Sequence, residues 1–98
     1  MKTVMVRYKT SSPAESDANA ALVRAVFDEL RAGMPGGLRY ASYRLADGVT
    51  FVHIATHEAD NPLNALPAFK AFQAELKGRC VELPVVTELS PVDSYGYT

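Results

Sequence analysis

"LRYASYRLADGVTFVHIATHE", residues 38–58, sets two strand-like runs on either side of an Asp47-Gly48 pair. An Asp-Gly step between alternating β-branched or aromatic runs is the strongest short-range signal for a β-hairpin. If Asp47 and Gly48 form a two-residue turn, Ala46 faces Val49. The pairs that follow outward are Arg44 with Phe51, Ser42 with His53, Tyr40 with Ala55 and Leu38 with His57. These eight share one face, which mixes aromatic rings with histidine, serine, tyrosine and arginine. The other face carries Arg39, Ala41, Tyr43, Leu45, Thr50, Val52, Ile54 and Thr56 and is mainly aliphatic at its centre.

The same hairpin decides what His53 and His57 can do. On a helix they would be neighbours about 6 Å apart, the spacing of a helical zinc site. In a strand, four residues cover about 13 Å. That is too far for two imidazoles to share one zinc at about 2.1 Å each. The β-branched surroundings favour the strand, so no metal is expected, and the histidines read as two separate polar groups lining one cleft.

Outward from the hairpin, "TVMVRYK" (3–9) reads as a strand. "SSPAE" (11–15) reads as a helix start, with Ser12 as N-cap, Pro13 at the first helical position and Glu15 completing a capping box. Leu22, Val23, Val26, Phe27 and Leu30 recur at helical spacing, and Gly33, Pro35, Gly36 and Gly37 end the helix. Beyond the hairpin, "EADNPLN" (58–64) is a loop. Leu66, Phe69, Phe72 and Leu76 mark a second helix over 66–78, with Pro67 tolerated in its first turn. "PVVTELS" (84–90) is a last strand, and the tail tyrosines Tyr95 and Tyr97 read either as partner-packing residues or as part of a free end.

The order β-α-β-β-α-β predicts one α+β domain over 1–98, ferredoxin-like, with a four-stranded antiparallel sheet. Two helices cover only one face of such a sheet. Yet the strands are apolar on both parities: Val4 and Val6 against Met5, Phe51 against Val52 and Ile54, Val85 against Val86. A solvated face would alternate cleanly. The second face is therefore expected to pack on another copy, giving a homodimer joined sheet to sheet as a dimeric α/β barrel.

Composition narrows the partners. Hydrophobic residues at 48% and charged residues at 21% suit a globular protein and not a disordered one. Ten basic residues face eleven acidic ones with no basic run, so nucleic acid is not an expected partner. No apolar stretch approaches the roughly 20 residues of a membrane span. Arg7 and Lys9 interrupt the first apolar run, which does not read as a signal peptide. The single cysteine, Cys80, excludes an internal disulfide and suits a reducing cytoplasm. Arg79 beside it raises the question of an activated thiolate, against the simpler reading of a small buried filler.

Three stretches carry a resemblance that covers essentially the whole chain: "PGGLRY" (35–40), "FVHIATHE" (51–58) and "FKAF" (69–72). They resemble, in order, the Pro-Gly-x-Leu-x-Tyr opening of strand two, the F-V-x-x-x-x-W-E end of strand three and the middle of the second helix in the antibiotic-biosynthesis-monooxygenase-like family of the dimeric α/β-barrel superfamily. The resemblance implies a ferredoxin-like dimer with a cavity in each subunit between sheet and helices. It also implies activities that include metal- and flavin-free oxygenation of phenols, quinols or anthrones, haem degradation and isomerisation. On that pattern His57 takes the place of a cavity-facing aromatic, with Phe51, His53 and Ala55 pointing the same way. The chain has no tryptophan, and "LPAFKAFQAELKG" (66–78) has no histidine, so it departs from the haem-degrading members and no cofactor is expected.

The resulting expectation is a cofactor-independent monooxygenase acting on a small aromatic molecule. His57, with His53, would take a phenolic proton, since an imidazole titrating near pH 6.5 suits that task. Tyr40 and Ser42 would stabilise the anion, with Ser42 also a hydrogen-bond partner for His53. Phe51, Phe69 and Phe72 would wall the cavity, and Asn64 would cap the helix or stand at the cavity mouth. His57 reads equally as an ordinary strand-end histidine, and His53 as a satisfied structural one. The rival functions are an isomerase using the same base and a non-catalytic homodimer that binds a small apolar ligand.

Overall fold

Residues 1–96 are described by the computed structural model; Tyr97 lies outside the described residues. The elements are β1 (Lys2–Thr10), α1 (Pro13–Gly33), β2 (Leu38–Arg44), β3 (Thr50–His57), a 3-10 turn (Pro62–Ala65), α2 (Pro67–Ala74), α3 (Leu76–Arg79) and β4 (Cys80–Leu89). The sheet order is β2-β3-β1-β4 with every pair antiparallel. This is the ferredoxin-like α+β arrangement predicted from the element order.

The β2–β3 register is the one deduced from sequence: Leu38 faces His57, Tyr40 faces Ala55, Ser42 faces His53 and Arg44 faces Phe51. The turn that sets it differs from the expected two-residue form. Gly48 N–H donates to Leu45 O at 3.0 Å, and Leu45 N–H donates to Thr50 O at 2.8 Å, so Ala46 and Asp47 are the central residues. Gly48 alone takes the left-handed conformation there, at φ 77°, whereas a type I′ turn needs positive φ at both central positions. The Asp47 carboxylate accepts from the Val49 and Thr50 amides and from the Thr50 hydroxyl. Those bonds hold its pKa down at about 2. Ser16 of α1 donates to Gly48 O at 2.6 Å and Thr10 to Val49 O at 2.8 Å, fastening the turn to the first helix and first strand.

Ser12 caps α1 as predicted, its hydroxyl accepting from the Glu15 amide at 3.1 Å. The helix ends at Met34, which is left-handed at φ 42° and donates its N–H to Leu30 O at 2.7 Å. A methionine thus occupies the conformation that the glycines around it would adopt without a Cβ penalty. The second helix is shorter than the predicted 66–78. It breaks at Glu75, close to where Arg79 Nη2 donates to Phe72 O at 2.8 Å. β4 begins four residues earlier than predicted and carries Pro84 where its pairing with β1 shifts register. An edge strand with a bulge is where a sheet tolerates proline.

Tyr8, Val23, Val26, Phe51, Leu63, Phe72 and Leu76 form the core between sheet and helices. Across the opposite face run the rows Tyr43–Val52–Arg7–Val85 and Ala41–Ile54–Met5–Thr87. Tyr43 and Val85 are exposed there, at 51% and 62%. Among the described residues no helix covers this face.

The left-handed methionine yields a direct test. Met34→Gly should raise stability by about 1 kcal/mol in denaturant unfolding, because it removes the Cβ clash of a left-handed L-residue. A variant no more stable than the parent would show that this cap is unstrained.

Candidate functional site

β1 and β3 bring Tyr8 and His53 to the helix-covered side of the sheet, and β2 brings Tyr40 beside them. Each lies on a row whose parity is fixed by pairing: Tyr8 with Phe51, Val6 with His53, and Ala55 with both Val4 and Tyr40. These residues and α2 enclose a cavity of about 290 Å³. Its walls include Val4, Val6, Leu63, Phe69, Phe72 and Leu76, and its polar groups are Tyr8, Tyr40, His53, Asn61, Gln73 and Lys77. That volume is at the small end of ligand pockets, which span roughly 300–1,000 Å³.

One hydrogen-bonded chain crosses this region. The Tyr8 hydroxyl lies 2.7 Å from His53 Nε2, and the Tyr40 hydroxyl lies 2.7 Å from His53 Nδ1. Asn19 Nδ2 donates to the Tyr8 hydroxyl at 2.7 Å. Arg79 Nε donates to Asn19 Oδ1 at 3.1 Å. Tyr8, Asn19, His53 and Arg79 are all buried. No salt bridge to Arg79 is present among the described residues, so its charge is held by neutral acceptors and by the Phe72 ring, 5.6 Å from the guanidinium carbon.

Burial dominates the electrostatics. It pushes His53 down to about 4 and both Tyr8 and Tyr40 well above the usual phenol range. At neutral pH the three groups are therefore uncharged. Aromatic rings frame them: His53 and Phe72 centroids are 5.6 Å apart, Phe69 and Phe72 6.1 Å, and Tyr40 stacks on Phe27 at 5.0 Å.

Of the residues singled out from sequence, Tyr40, His53, Phe69 and Phe72 line this cavity together. Ser42 and Phe51 line a different, open groove of about 720 Å³ between α1 and β2, which Tyr40 also borders. Ser42 stands opposite His53 in the ladder, but both ring nitrogens of His53 are taken by tyrosines, so the expected Ser42–His53 bond is replaced. The expectation that both histidines line one cleft is also not met. His57 lies at the strand end with Nδ1 2.6 Å from Glu58 O, and it is not among the cavity residues. Asn64 is not among them either; Asn61 is, and it caps the 3-10 turn by accepting from the Leu63 amide at 3.1 Å. Arg79 turns inward to Asn19, while burial pushes the Cys80 thiol up, which is the opposite of thiolate activation.

Local sequence pattern does not single out Tyr8 or Asn19 as site residues, and it sets Arg79 only beside Cys80. The signal for two of them was present: Asn19 falls on the helical stripe of Val23, Val26 and Leu30, and Arg79 on that of Phe69, Phe72 and Leu76. A polar residue on an apolar stripe calls for a buried partner.

The buried imidazole should make stability depend on pH. His53 binds a proton with ordinary affinity near 6.5 when unfolded and only near 4 when folded. Its contribution is thus complete above pH 6.5 and is lost as pH falls from 6.5 to 4, by roughly 3 kcal/mol in all. The Asp47 contribution disappears in a lower window, between 3.8 and about 2. Urea unfolding at pH 7.5 and 4.5 should show the loss in the wild type and most of it removed in His53→Gln. An equal loss in both proteins would assign the pH dependence elsewhere.

No protein-family model matches the chain, and no curated protein matches it. Solved structures do. Rv0793 from Mycobacterium tuberculosis is 26% identical, covers 95% of this chain and 96% of its own length, and superposes with a TM-score of 0.72. A variant of SnoaB, a cofactor-independent oxygenase from Streptomyces nogalater, is 21% identical over 98% and 97% of the two chains, with a TM-score of 0.64. A dimeric ferredoxin-like protein from an uncultured marine organism is 9% identical over 99% and 92%, with a TM-score of 0.63. Antibiotic biosynthesis monooxygenase structures stand among these neighbours as well. The chain thus shares the ferredoxin-like fold of antibiotic biosynthesis monooxygenase-like proteins.

Proposed function

We propose that this protein is a small oxygenase that uses no metal or flavin and acts on a planar, electron-rich phenol, quinol or anthrone bound between the sheet and α2. The observation that carries the reading is a neutral, buried His53 between two tyrosine hydroxyls at the polar end of an aromatic-walled cavity. The likeness to SnoaB, a cofactor-independent oxygenase, supports it through the shared fold.

The geometry favours anion stabilisation over strong-base catalysis. A conjugate acid near 4 taking a proton from a phenol near 10 is uphill by about 8 kcal/mol. We therefore assign the Tyr40 hydroxyl, at the cavity wall, to the oxygen of the substrate as it becomes an enolate or phenolate. The buried positive charge of Arg79, one ring beyond Phe72, favours the same anion. The proton the substrate loses passes to solvent, and the anion then passes electrons to O₂. For an anthrone methylene the balance closes without an external reductant: the carbon becomes a carbonyl with one oxygen atom, and the other leaves as water with the two methylene hydrogens. The second reading, a module that binds such a ligand without turning it over, is favoured by one observation: both His53 nitrogens are already bonded.

Oxygen uptake by the metal-stripped protein over a panel of hydroquinones and anthrones tests this. The expected result is uptake above the spontaneous rate, reduced about 10²–10³-fold in Tyr40→Phe, the usual cost of losing an oxyanion donor. His57→Ala, altered outside the cavity, should retain it. Ligand binding without uptake would favour the binding module, and neither binding nor uptake would contradict both readings.

We further propose a homodimer joined through the open sheet face, in a reducing compartment such as the cytoplasm. The rows through Val52, Ile54 and Met5, apolar apart from Arg7 and Thr87, with exposed Tyr43 and Val85, support the interface, and a dimeric ferredoxin-like neighbour supports the assembly. Val85→Glu places a charge in that face without touching the core. Light scattering after gel filtration should show a dimer for the wild type and a folded monomer for the variant; an unchanged mass would place the interface elsewhere.

A further inference from the structure

The hydrogen-bonded chain has a direction, and Arg79 sets it. A guanidinium has only donors, so the Asn19 atom facing Arg79 Nε is its carbonyl oxygen, and the amide nitrogen faces Tyr8. The Tyr8 oxygen therefore accepts from Asn19. Its own proton has one protein acceptor among the described residues, His53 Nε2 at 2.7 Å. Tyr8 is 1% exposed, so leaving that proton unpaired would cost a buried hydrogen bond. With Nε2 accepting, the neutral ring carries its proton on Nδ1 and donates to the Tyr40 oxygen, also at 2.7 Å. The Tyr40 proton then has no protein acceptor among the described residues, and Tyr40 lines the cavity beside His53.

We infer that Arg79, acting through Asn19, Tyr8 and His53, fixes the Tyr40 hydroxyl as a donor toward the cavity, so that the ligand meets it with an acceptor oxygen, a ketone, enolate or phenolate. Arg79 and Asn19 are positioning residues in this scheme. The inference deepens the reading of the cavity given above, but the direction of the chain is measured without turnover.

The decisive substitution is Asn19→Asp. A carboxylate accepts from both Arg79 and Tyr8 in nearly the same shape. The Tyr8 proton then points away from His53, Nε2 becomes the protonated nitrogen, Nδ1 accepts from Tyr40, and the cavity loses its donor. Two-bond ¹H–¹⁵N correlation spectra of the imidazole at pH 7.5 should show the Nδ1–H tautomer of His53 in the wild type and Nε2–H in Asn19→Asp. Binding of 2-acetonaphthone, an acceptor only, should weaken about tenfold in the variant, the cost of one lost hydrogen bond. Binding of 2-naphthol, which can donate, should be retained. A wild-type Nε2–H tautomer would overturn the inference by itself, even if the variant fails to fold. An unchanged tautomer in a folded Asn19→Asp would overturn it too. If neither naphthalene binds the wild type, the cavity's function as proposed fails, while the tautomer still decides the direction of the chain.

Discussion

Two tyrosine hydroxyls hold one buried imidazole, each at 2.7 Å. A polar group buried without partners costs several times what a satisfied one returns. The arrangement around His53 is therefore nearly all-or-nothing. Tyr8, Asn19 and Arg79 extend it until a group is reached whose charge is spread over a neutral oxygen, a backbone carbonyl and an aromatic ring. β1, β2, β3, α1 and α3 each supply a member. The ferredoxin-like topology is what brings them to one point.

The sheet does most of that positioning. Register in a ladder with one buried face is strongly specified, because a slip by one residue would exchange His53 for Val52 or Ile54. The hairpin turn, tied to Ser16 and Thr10, anchors the β2–β3 register at one end. On the other side of the same strands, Met5, Ala41, Tyr43, Val52, Ile54 and Val85 form a largely apolar centre, and among the described residues no helix lies over it. The two faces thus serve different purposes: one encloses polar chemistry in an apolar wall, and the other offers a surface for a second sheet.

The hairpin was legible from sequence because its pairing is local. Arg44–Phe51, Ser42–His53, Tyr40–Ala55 and Leu38–His57 follow from a single turn, and they survive even though the turn itself is of another type. Element order gave the ferredoxin-like class for the same reason, through caps and periodicities that act within a few residues. What was not legible depends on distant contacts. Tyr8 meets His53 across 45 residues and Arg79 meets Asn19 across 60. No turn fixes those distances, so Tyr8 read as one alternating strand residue among several. The family pattern turns His57 toward the cavity and the loop leaves Asn64 as an amide near its mouth, but His53 and Asn61 line the cavity instead, and His57 stands at the strand end against the Glu58 carbonyl. Chain adjacency sets Arg79 beside Cys80, whereas its helical position aims it at the core.

The site as described requires His53 to be uncharged where it sits. Following the His53 Cε1 proton by NMR from pH 8 down to the acid limit of the folded state measures this directly. A ring that stays neutral through pH 6.5 and titrates only near pH 4 is the result expected of an imidazole enclosed by two hydroxyls and aromatic walls. A midpoint near the ordinary 6.5 would mean that water or a counter-charge reaches the ring. The site would then have to be redrawn around a histidine that works as a base.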